Sequence, residues 1–387
     1  MIPYGRQNIS QSDIDSVVEV LNSDFLTQGP NVPKFEESLK AYTGAKHAIA
    51  LNSATSALHV ACLSLGLGDQ DWLWTSPITF VASANAGIYC GANIDFVDID
   101  PKTYNMCPIK LEKKLVIAKL KGILPKVVMP VHLAGQSCNM KAIKRLATDY
   151  GFKIIEDASH GIGGSYLDQP LGSCAYSDIT IFSFHPVKII TTAEGGAALT
   201  NDLELAKKMV LYRSHGITRD PEMMTEEPHG SWYYQQLELG YNYRMTDLQA
   251  ALGTSQMGRL DEFVAARHRI ANRYDQLLES LPLDIPFQLE KTYSGLHLYI
   301  IRLKLEEISK SHQEVFEGLR ANGIGVNLHY IPVHIHPFYQ KKGFQLGDFP
   351  ESERYYSEAI SLPMYPDLTE RDQDAVIAAL RVQLVRK

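Results

Sequence analysis

The chain has 387 residues, of which 45% are hydrophobic and 21% charged, and its formal net charge is −7. This composition is ordinary for a soluble globular enzyme, and the length predicts about two domains. The acidic balance argues against a nucleic-acid partner, which would require a basic face, so any phosphate on a ligand must be bound locally.

The five cysteines are scattered and none belongs to a CxxC pair, which predicts reduced thiols in a cytoplasmic protein. The first residues, MIPYGRQNIS, lack the apolar run of a signal peptide. No stretch reaches the roughly 20 apolar residues that a membrane helix needs. We therefore expect neither a membrane partner nor a metal site.

Short apolar runs alternate with helical segments over the first half of the chain. The first predicted helix spans residues 10–22, where Ser10 and Asp13 can form a capping box ahead of an apolar stripe. Apolar runs typical of buried strands follow at 47–51, 73–76, 94–99, 126–132, 152–157 and 178–184. Helices are predicted between them at 54–66, 80–90, 109–120 and 139–150. This rhythm predicts a mostly parallel α/β sheet with right-handed crossovers.

The pattern changes after the last of these strands. Helices are predicted to dominate residues 202–280, with an aromatic-rich insert at 217–240, and Pro282 and Pro286 then mark a break. A smaller α+β domain is predicted beyond it, with strands at 297–303 and near 324–330 and helices at 311–322 and 369–384. We place the large domain at residues 1–255 and the small C-terminal domain at residues 256–387.

In an open α/β sheet, ligands collect at the carboxyl ends of the strands, and the candidate residues lie there. Residues 53–57, SATSA, follow the strand at 47–51 and open a helix. Small residues let the backbone approach an anion, and a helix N-terminus offers free N–H groups. The segment predicts a phosphate site, although N-capping by Ser53 or Thr55 would also explain it.

Glu156 and Asp157 end the strongly apolar strand predicted at 152–157. A carboxylate at this place is either a helix cap or a functional group, and both interpretations stay open. If Asp157 is functional, it can face a pyridinium nitrogen and hold its proton, because a nearby negative charge raises that group's pKa. A protonated ring is the electron sink that pyridoxal phosphate (PLP) chemistry requires.

Lys188 follows the strand at 178–184 and has apolar neighbours, namely Pro186, Val187, Ile189 and Ile190. Desolvation lowers the pKa of a lysine and frees its amine to form a Schiff base. A lysine that merely extends to solvent is the alternative. Near it, Gly195 and Gly196 permit a close approach of the backbone, and Ser183 can donate to a phosphate oxygen.

Two further segments carry residues that can contact a cofactor. Phe80 follows the strand at 73–76, where its ring can stack on a flat cofactor, although a core phenylalanine is the alternative. Residues 239–253 combine the polar Asn242 and Arg244 with a helix capped at Thr246, and a structural turn is the alternative there.

Taken together and in this order, these segments resemble the DegT/DnrJ/EryC1/StrS aminotransferases, the sugar branch of the fold-type I PLP enzymes. The resemblance covers nearly the whole chain, through the motifs FLTQGPNVPKFE (25–36), NSATSAL (52–58), ITFVASANA (78–86), EDASHGIGGSY (156–166), FSFHPVKIITTAEGG (182–196), RSHG (213–216), YNYRMTDLQAALG (241–253) and HYIP (329–332). It implies the PLP-dependent transferase fold type I, an α/β fold with a mainly parallel seven-stranded sheet flanked by helices and a smaller C-terminal α+β domain.

The resemblance also implies roles for single residues. Lys188 is implied to be the Schiff-base lysine, Asp157 to pair with the pyridinium nitrogen, and Phe80 to stack on the ring. His160 stands where the family commonly has Gln, and it is implied to lie near the ring oxygen of the cofactor. The phosphate is implied to contact Ala54, Thr55 and Ser183 of one subunit and, across a homodimer with shared active sites, Asn242 of the partner subunit.

A finer resemblance is to the pseudaminic-acid branch of the family, through NSATSAL, DASH, FSFHPVKIITTAEGG and HYIPVH. It implies transfer of an amino group from L-glutamate, which becomes 2-oxoglutarate, to C4 of a UDP-linked 4-keto-6-deoxy-N-acetylhexosamine. The product would be UDP-4-amino-4,6-dideoxy-N-acetyl-β-L-altrosamine. A C4 or C3 aminotransferase of the GDP-perosamine or dTDP-sugar type is the alternative. Substrate contacts are expected at Tyr4, Arg6, Thr27, Gly29, Arg213, His215, His329 and Tyr330.

Other functional classes fit the motifs less well. PLP-dependent sugar dehydratases of this kind replace the lysine with histidine, whereas Lys188 is present. A nicotinamide enzyme would need GxGxxG after the first strand, and HGIGGSY (160–166) follows the wrong strand without the last glycine. A non-catalytic regulator on the same fold would be expected to lack Lys188 or Asp157.

Overall fold

The structure is a computed structural model, and it describes residues 1–385 and 387. Its strands, in chain order, are β1 (His47–Leu51), β2 (Trp72–Thr75), β3 (Asn93–Phe96), β4 (Val127–Met129), β5 (Lys153–Asp157), β6 (Ser165–Tyr166), β7 (Gln169–Pro170), β8 (Ile179–Ser183), β9 (Gly196–Thr200), β10 (Ile217–Thr218), β11 (Gln235–Gln236), β12 (Leu283–Asp284), β13 (Thr292–Tyr293), β14 (Tyr299–Leu303) and β15 (Ala359–Leu362).

The α-helices are α1 (Gln11–Leu21), α2 (Asn31–Thr43), α3 (Ala54–Ser64), α4 (Val81–Tyr89), α5 (Pro108–Lys121), α6 (Met140–Tyr150), α7 (Leu203–Arg213), α8 (Asp247–Met257), α9 (Leu260–Leu278), α10 (His312–Ala321), α11 (Pro337–Gln340), α12 (Pro350–Glu358) and α13 (Glu370–Gln383). Short 3-10 helices lie at Leu133–Gly135 and Val333–Ile335. Several helices begin at the caps that the sequence predicts. Ser10 and Asp13 form a capping box on α1, and Thr246 with Gln249 forms one on α8.

The main sheet has the order β1-β9-β8-β5-β4-β2-β3. Its neighbouring strands pair in parallel except around β9, which runs antiparallel to both β1 and β8. Strands β5 and β8 are buried over almost their whole length, as expected of strands with helices on both faces. The predicted fold class, a mainly parallel seven-stranded sheet flanked by helices, is confirmed.

Strand β9 is the one strand of this sheet that the sequence does not predict. Its residues, GAALT, are mostly small and begin at the second of two adjacent glycines, so no strand pattern marks them. Pairing decides the structure here, because Gly196 lies opposite both Leu51 of β1 and Ser183 of β8. The strand therefore lies between the end of β1, which precedes residues 53–57, and the end of β8.

The C-terminal region has its own apolar core, built on the antiparallel sheet β12-β14-β15 and on α9, α10 and α13. The predicted strand near 324–330 is wrong. Asn327 forms a single bridge with Ser361, and Ile324 forms one with Ile2, so this segment divides its pairing between two neighbours and no ladder forms. The domain ranges 1–255 and 256–387 stay a prediction, and their boundary lies within α8.

Three further properties bear on function. Among the described residues, no helix is long and apolar enough to cross a membrane. The same residues hold no cluster of three or more His, Cys, Asp or Glu side chains that could bind a metal ion. All five cysteines are free thiols, and four of them are buried.

Candidate active site

A cleft of about 500 Å³ lies where β5, β8 and the N-termini of α3 and α4 meet residues 327–330. Its volume is in the range of small-molecule and cofactor sites. The cleft brings together ten of the residues that the sequence predicts for the site: Tyr4, Ala54, Thr55, Phe80, Asp157, His160, Ser183, Lys188, His329 and Tyr330.

Lys188 enters the cleft from the turn that follows β8. Its backbone N–H donates to the carbonyl of His185 at 2.8 Å, which fixes the turn, and its side chain is half-buried. Burial lowers the pKa of Lys188 to about 8, although the negative charge of Asp157 acts in the opposite direction. The amine is therefore closer to neutrality at physiological pH than an exposed lysine, as a nucleophilic lysine must be.

Asp157 ends β5 and is held by three donors. The hydroxyl of Ser83 donates to Oδ2 at 2.6 Å, and the backbone N–H and hydroxyl of Ser159 donate to Oδ1 at 3.1 and 2.6 Å. Hydrogen bonds of this kind stabilise a charged carboxylate that is 4% exposed. Glu156 turns the other way, onto the ring of His132. Asp157 is thus the carboxylate that reaches the cleft.

Ser83 and Ser159 are site residues that the sequence analysis missed. A signal existed for both. Ser159 lies two residues after Asp157, the spacing at which an Asp side chain accepts a local backbone hydrogen bond. Ser83 lies one helical turn after Phe80, so both face the same way from the start of α4.

The N-terminus of α3 lines the cleft with unpaired backbone donors. Ser53 caps the helix by accepting the N–H of Ser56 at 3.1 Å. The N–H groups of Ala54 and Thr55 lie in the first turn, where an α-helix has no internal acceptor for them. A Cβ on Gly196 would lie 2.4 Å from the nitrogen of Ala54, so only glycine lets β9 pass this close. The geometry suits an anion such as phosphate.

Phe80 is 58% exposed and lines the cleft. The alternative of a core phenylalanine is therefore excluded. It is the N-cap residue of α4, in extended backbone conformation, and its ring centroid lies 6.1 Å from that of Tyr330. An aromatic ring with one face open to a cleft can stack on a planar ligand.

One group of lining residues carries no formal charge and is here called the neutral wall: His160, His297, His329 and Tyr330. Burial, followed by the charge of Lys188, lowers the pKa of His329 to about 3. Burial likewise holds the pKa of His160 and of His297 well below 6.5. All three imidazoles are neutral at physiological pH, so the neutral wall offers hydrogen bonds but no charge.

His297 is a member of the neutral wall that the sequence analysis did not select. Its ring lies 4.4 Å from that of His160, and its Nδ1 is buried without a hydrogen-bond partner. Nothing in the local sequence marks it, because it precedes an ordinary apolar strand, β14. A second group of lining residues, here called the charged wall, comprises Ala54, Thr55, Asp157, Ser183 and Lys188.

Six predicted site residues lie outside the lining of the cleft. Arg213 forms an ion pair with Glu36 at 2.6 Å and donates to the carbonyl of Ala50 at 2.8 Å. The N–H of Gly29 donates to Asp247 at 2.8 Å, and a Cβ at Gly29 would lie 2.4 Å from the Cβ of Phe25. Both residues thus have structural roles within their own subunit.

The other four residues lie at the surface or in turns. Thr27 forms a bridge with Thr246 beside α8, whereas Arg6, His215 and Asn242 are exposed. None of them contributes to the cleft from its own subunit. Their predicted contacts with ligands stay predictions.

The site as built fits PLP. Each part of that cofactor would find a suitable group in the cleft: Lys188 is an amine for the aldehyde, Asp157 a carboxylate for the pyridine nitrogen, Phe80 an open aromatic face for the ring, and the N-terminus of α3 with Ser183 would hold the phosphate. This match rests on the chemistry of the donors present and on the amide groups of α3 that have no partner within the helix.

Known proteins are similar to the chain over almost its full length. A UDP-4-amino-4,6-dideoxy-N-acetyl-β-L-altrosamine transaminase from Campylobacter jejuni is 40% identical over 376 residues, which cover 96% of this chain and 94% of that protein. The solved structure of Helicobacter pylori PseC, described as an aminotransferase involved in pseudaminic acid biosynthesis, superposes with a TM-score of 0.89 at 31% identity and 99% coverage of each chain.

The solved PLP form of a putative sugar aminotransferase from Streptococcus pneumoniae superposes with a TM-score of 0.88 at 29% identity, covering 98% of each chain. The sequence profile of the DegT/DnrJ/EryC1/StrS aminotransferase family matches residues 7–381. This family is PLP-dependent, in agreement with the cleft. The chain belongs to the DegT/DnrJ/EryC1/StrS aminotransferase family.

Proposed function

We propose that the protein transfers an amino group from L-glutamate to C4 of a UDP-linked 4-keto-6-deoxy-N-acetylhexosamine, as a step in pseudaminic-acid-type nucleotide-sugar synthesis. The observation that carries the transaminase chemistry is one cleft holding both Lys188, with its pKa lowered to about 8, and Asp157, fixed by three donors. The choice of sugar is supported by the name of the Campylobacter relative, whose length the chain matches almost completely.

PLP, when bound, supplies the electron sink that makes a proton next to an amino group removable. Lys188 would perform the proton transfers: its Nζ would take the proton from the amino-bearing carbon as a base and then give the proton back to the cofactor as an acid. Asp157 keeps the ring nitrogen protonated through its negative charge. The keto acid formed from glutamate leaves before the keto sugar binds, so the kinetics should be ping-pong.

The neutral wall can bind a sugar through hydrogen bonds, although it holds no cation. Among the lining residues that the structure describes, Lys188 is the sole Lys or Arg, so side-chain cations for a diphosphate or for the carboxylates of glutamate must come from elsewhere. Neutral imidazoles and a phenol can pair with sugar hydroxyl and N-acetyl groups. The predicted homodimer would supply the missing groups.

We extend the proposal to a cytoplasmic homodimer in which Asn242 of the partner subunit completes the phosphate site. In its own subunit Asn242 is exposed, with its carbonyl 3.4 Å from the amide of Asn52. Lys188→Ala and Asn242→Ala should each inactivate their own homodimer, and mixed, refolded subunits should regain activity. Absence of complementation, or a monomer in light scattering, would argue against shared sites.

The substrate is tested with a panel of UDP-, GDP- and dTDP-linked 4-keto-6-deoxy sugars and glutamate, scored by amino-sugar formation. We expect the UDP-linked N-acetylhexosamine to give the highest kcat/KM. A preference for GDP or dTDP sugars would reassign the substrate and leave the transaminase intact. A purified protein with no near-visible absorbance band after addition of PLP would instead support a non-catalytic binding protein.

A further inference from the structure

Both ring nitrogens of His160 are already engaged within the protein. Nδ1 accepts the backbone N–H of Ala134 at 3.2 Å, and Nε2 lies 3.0 Å from the hydroxyl of Tyr330. The ring is 5% exposed. Ala134 belongs to a turn in which its own φ is 59°, so its N–H is directed by the backbone and has no rotational freedom.

These contacts determine the tautomer of His160. A nitrogen that accepts an N–H cannot carry a proton itself, so Nδ1 is bare. The ring is neutral, since burial and then the positive charge of Lys188 hold its pKa well below 6.5. Its one proton is therefore on Nε2. It follows that Nε2 donates to the oxygen of Tyr330, and that the tyrosine accepts in this pair.

The hydroxyl hydrogen of Tyr330 is consequently free for another acceptor. Within the part of the chain that the structure describes, His160 is the one hydrogen-bond partner of this hydroxyl. Burial, followed by the charge of Asp157, raises the pKa of Tyr330, so the hydroxyl keeps its hydrogen at all working pH values. Tyr330 lines the cleft, and the titratable groups around this pair are Tyr4, Asp157, Lys188, His297 and His329.

We propose that the Tyr330 hydroxyl is a fixed hydrogen-bond donor to a negatively charged oxygen of the bound cofactor or substrate, and that His160 is the positioning residue that directs it. This rests on the proposed function, because it requires a ligand in the cleft. It changes the role expected for His160. With one nitrogen accepting from Ala134 and the other donating to Tyr330, His160 has no donor left for the ring oxygen of the cofactor, whereas Tyr330 has one.

The same geometry explains how glutamine could replace His160. The amide of a glutamine has an acceptor oxygen and a donor nitrogen, the two functions that Ala134 and Tyr330 require. His160→Gln should therefore preserve the direction of the Tyr330 hydroxyl. His160→Leu has a similar volume but neither function, so Tyr330 could then rotate its hydrogen freely.

The test uses the holoenzyme and its near-visible absorbance. Tyr330→Phe keeps the ring and removes only the hydroxyl. Loss of a donor to a charged oxygen raises the proton affinity of that oxygen, so the pH midpoint of the absorbance should rise by about one unit if the acceptor belongs to the cofactor. If the acceptor belongs to the substrate, the midpoint should stay in place and the KM of the keto sugar should rise about tenfold.

His160→Leu should shift the same quantity in the same direction as Tyr330→Phe but by less, because the hydroxyl remains and loses only its fixed direction, and His160→Gln should restore the wild-type value. Unchanged midpoint and KM in Tyr330→Phe would overturn the proposal, as would a His160→Leu variant indistinguishable from wild type. Melting curves of all three variants check folding. The proposed function is tested separately. It predicts that the wild-type holoenzyme has a near-visible absorbance band and that Lys188→Ala abolishes this band, and it fails if the wild-type protein has no such band.

Discussion

The two walls of the cleft differ in charge and in what fixes their side chains. The charged wall places an amine, a carboxylate and a helix N-terminus at the ends of β1, β5 and β8, where backbone geometry fixes their positions. The neutral wall holds three imidazoles and a phenol, and burial prevents each of them from changing charge near neutral pH. Charge is thus concentrated in the first group, and the second group provides hydrogen bonds without charge.

The largest expected effect is on the charged wall. Lys188→Ala removes the amine that we propose to bind the cofactor and move the proton, so kcat should fall about 10⁴-fold or more. Lys304→Ala is the matched control, because Lys304 lies outside the cleft lining and pairs weakly with Asp284 at 3.5 Å. It should retain full turnover. Multiple turnovers by Lys188→Ala would show that the reaction does not need the amine of the charged wall.

Asp157→Asn tests whether charge or shape is needed at the end of β5. Asparagine preserves the volume and can still accept from Ser159, but it no longer favours a protonated ring nitrogen. A neighbouring charge is worth about one to three pKa units, so kcat/KM should fall roughly 10- to 1000-fold. Ser83→Ala keeps the charge and removes one donor of 2.6 Å. An equal loss in both variants would show that position, and not charge, matters.

Lys188→Met should stabilise the apoprotein, because a buried amine is costly to protonate. The pKa of Lys188 is about 8 in the folded chain and 10.5 ordinarily. Between these values the unfolded state binds more protons, so wild-type stability rises with pH there, and the variant lacks this rise. Denaturant titrations should show a gain of roughly 1–3 kcal/mol at pH 7 that shrinks above pH 8. A gain in the free energy of unfolding that does not depend on pH would contradict the lowered pKa of Lys188.

Arg213→Ala separates a structural residue from a predicted ligand contact. The Arg213–Glu36 pair is mostly buried and is supported by the carbonyl of Ala50. Its loss should lower the free energy of unfolding by about 2 kcal/mol and leave the KM of the keto sugar unchanged. Glu36→Gln and the double variant complete a mutant cycle. A KM increase at unchanged stability would return Arg213 to the substrate site.

The smallest effect is expected from the neutral wall in pH profiles. His329 has a pKa of about 3, and those of His160 and His297 are also lowered, so none of the three should ionise between pH 5.5 and 8. His329→Asn should therefore leave the shape of the kcat/KM profile unchanged in this range. A limb near pH 6.5 that disappears in the variant would show that the wall carries charge after all.

Much of the fold follows from local patterns. The apolar runs predict β1, β5 and β8 to within about a residue, and capping residues predict the starts of α1 and α8. The prediction of a strand near 324–330 is wrong, and β9 is missed. Both errors have the same cause. Whether an extended segment becomes a strand depends on which distant segment pairs with it, and residues 2 and 361 supply only single bridges.

The sequence by itself determined the charged wall, because Lys188, Asp157 and the residues after β1 follow strands whose ends must meet at one edge of a parallel sheet. Only the tertiary structure decided the protonation and hydrogen bonding of the neutral wall and added His297 to the residues that the sequence had already named. Tyr330 lies 170 residues after His160, and their hydrogen bond, their burial and the influence of Lys188 are properties of contact in space. Protonation and donor direction depend on such surroundings, so no pattern along the chain could have revealed them.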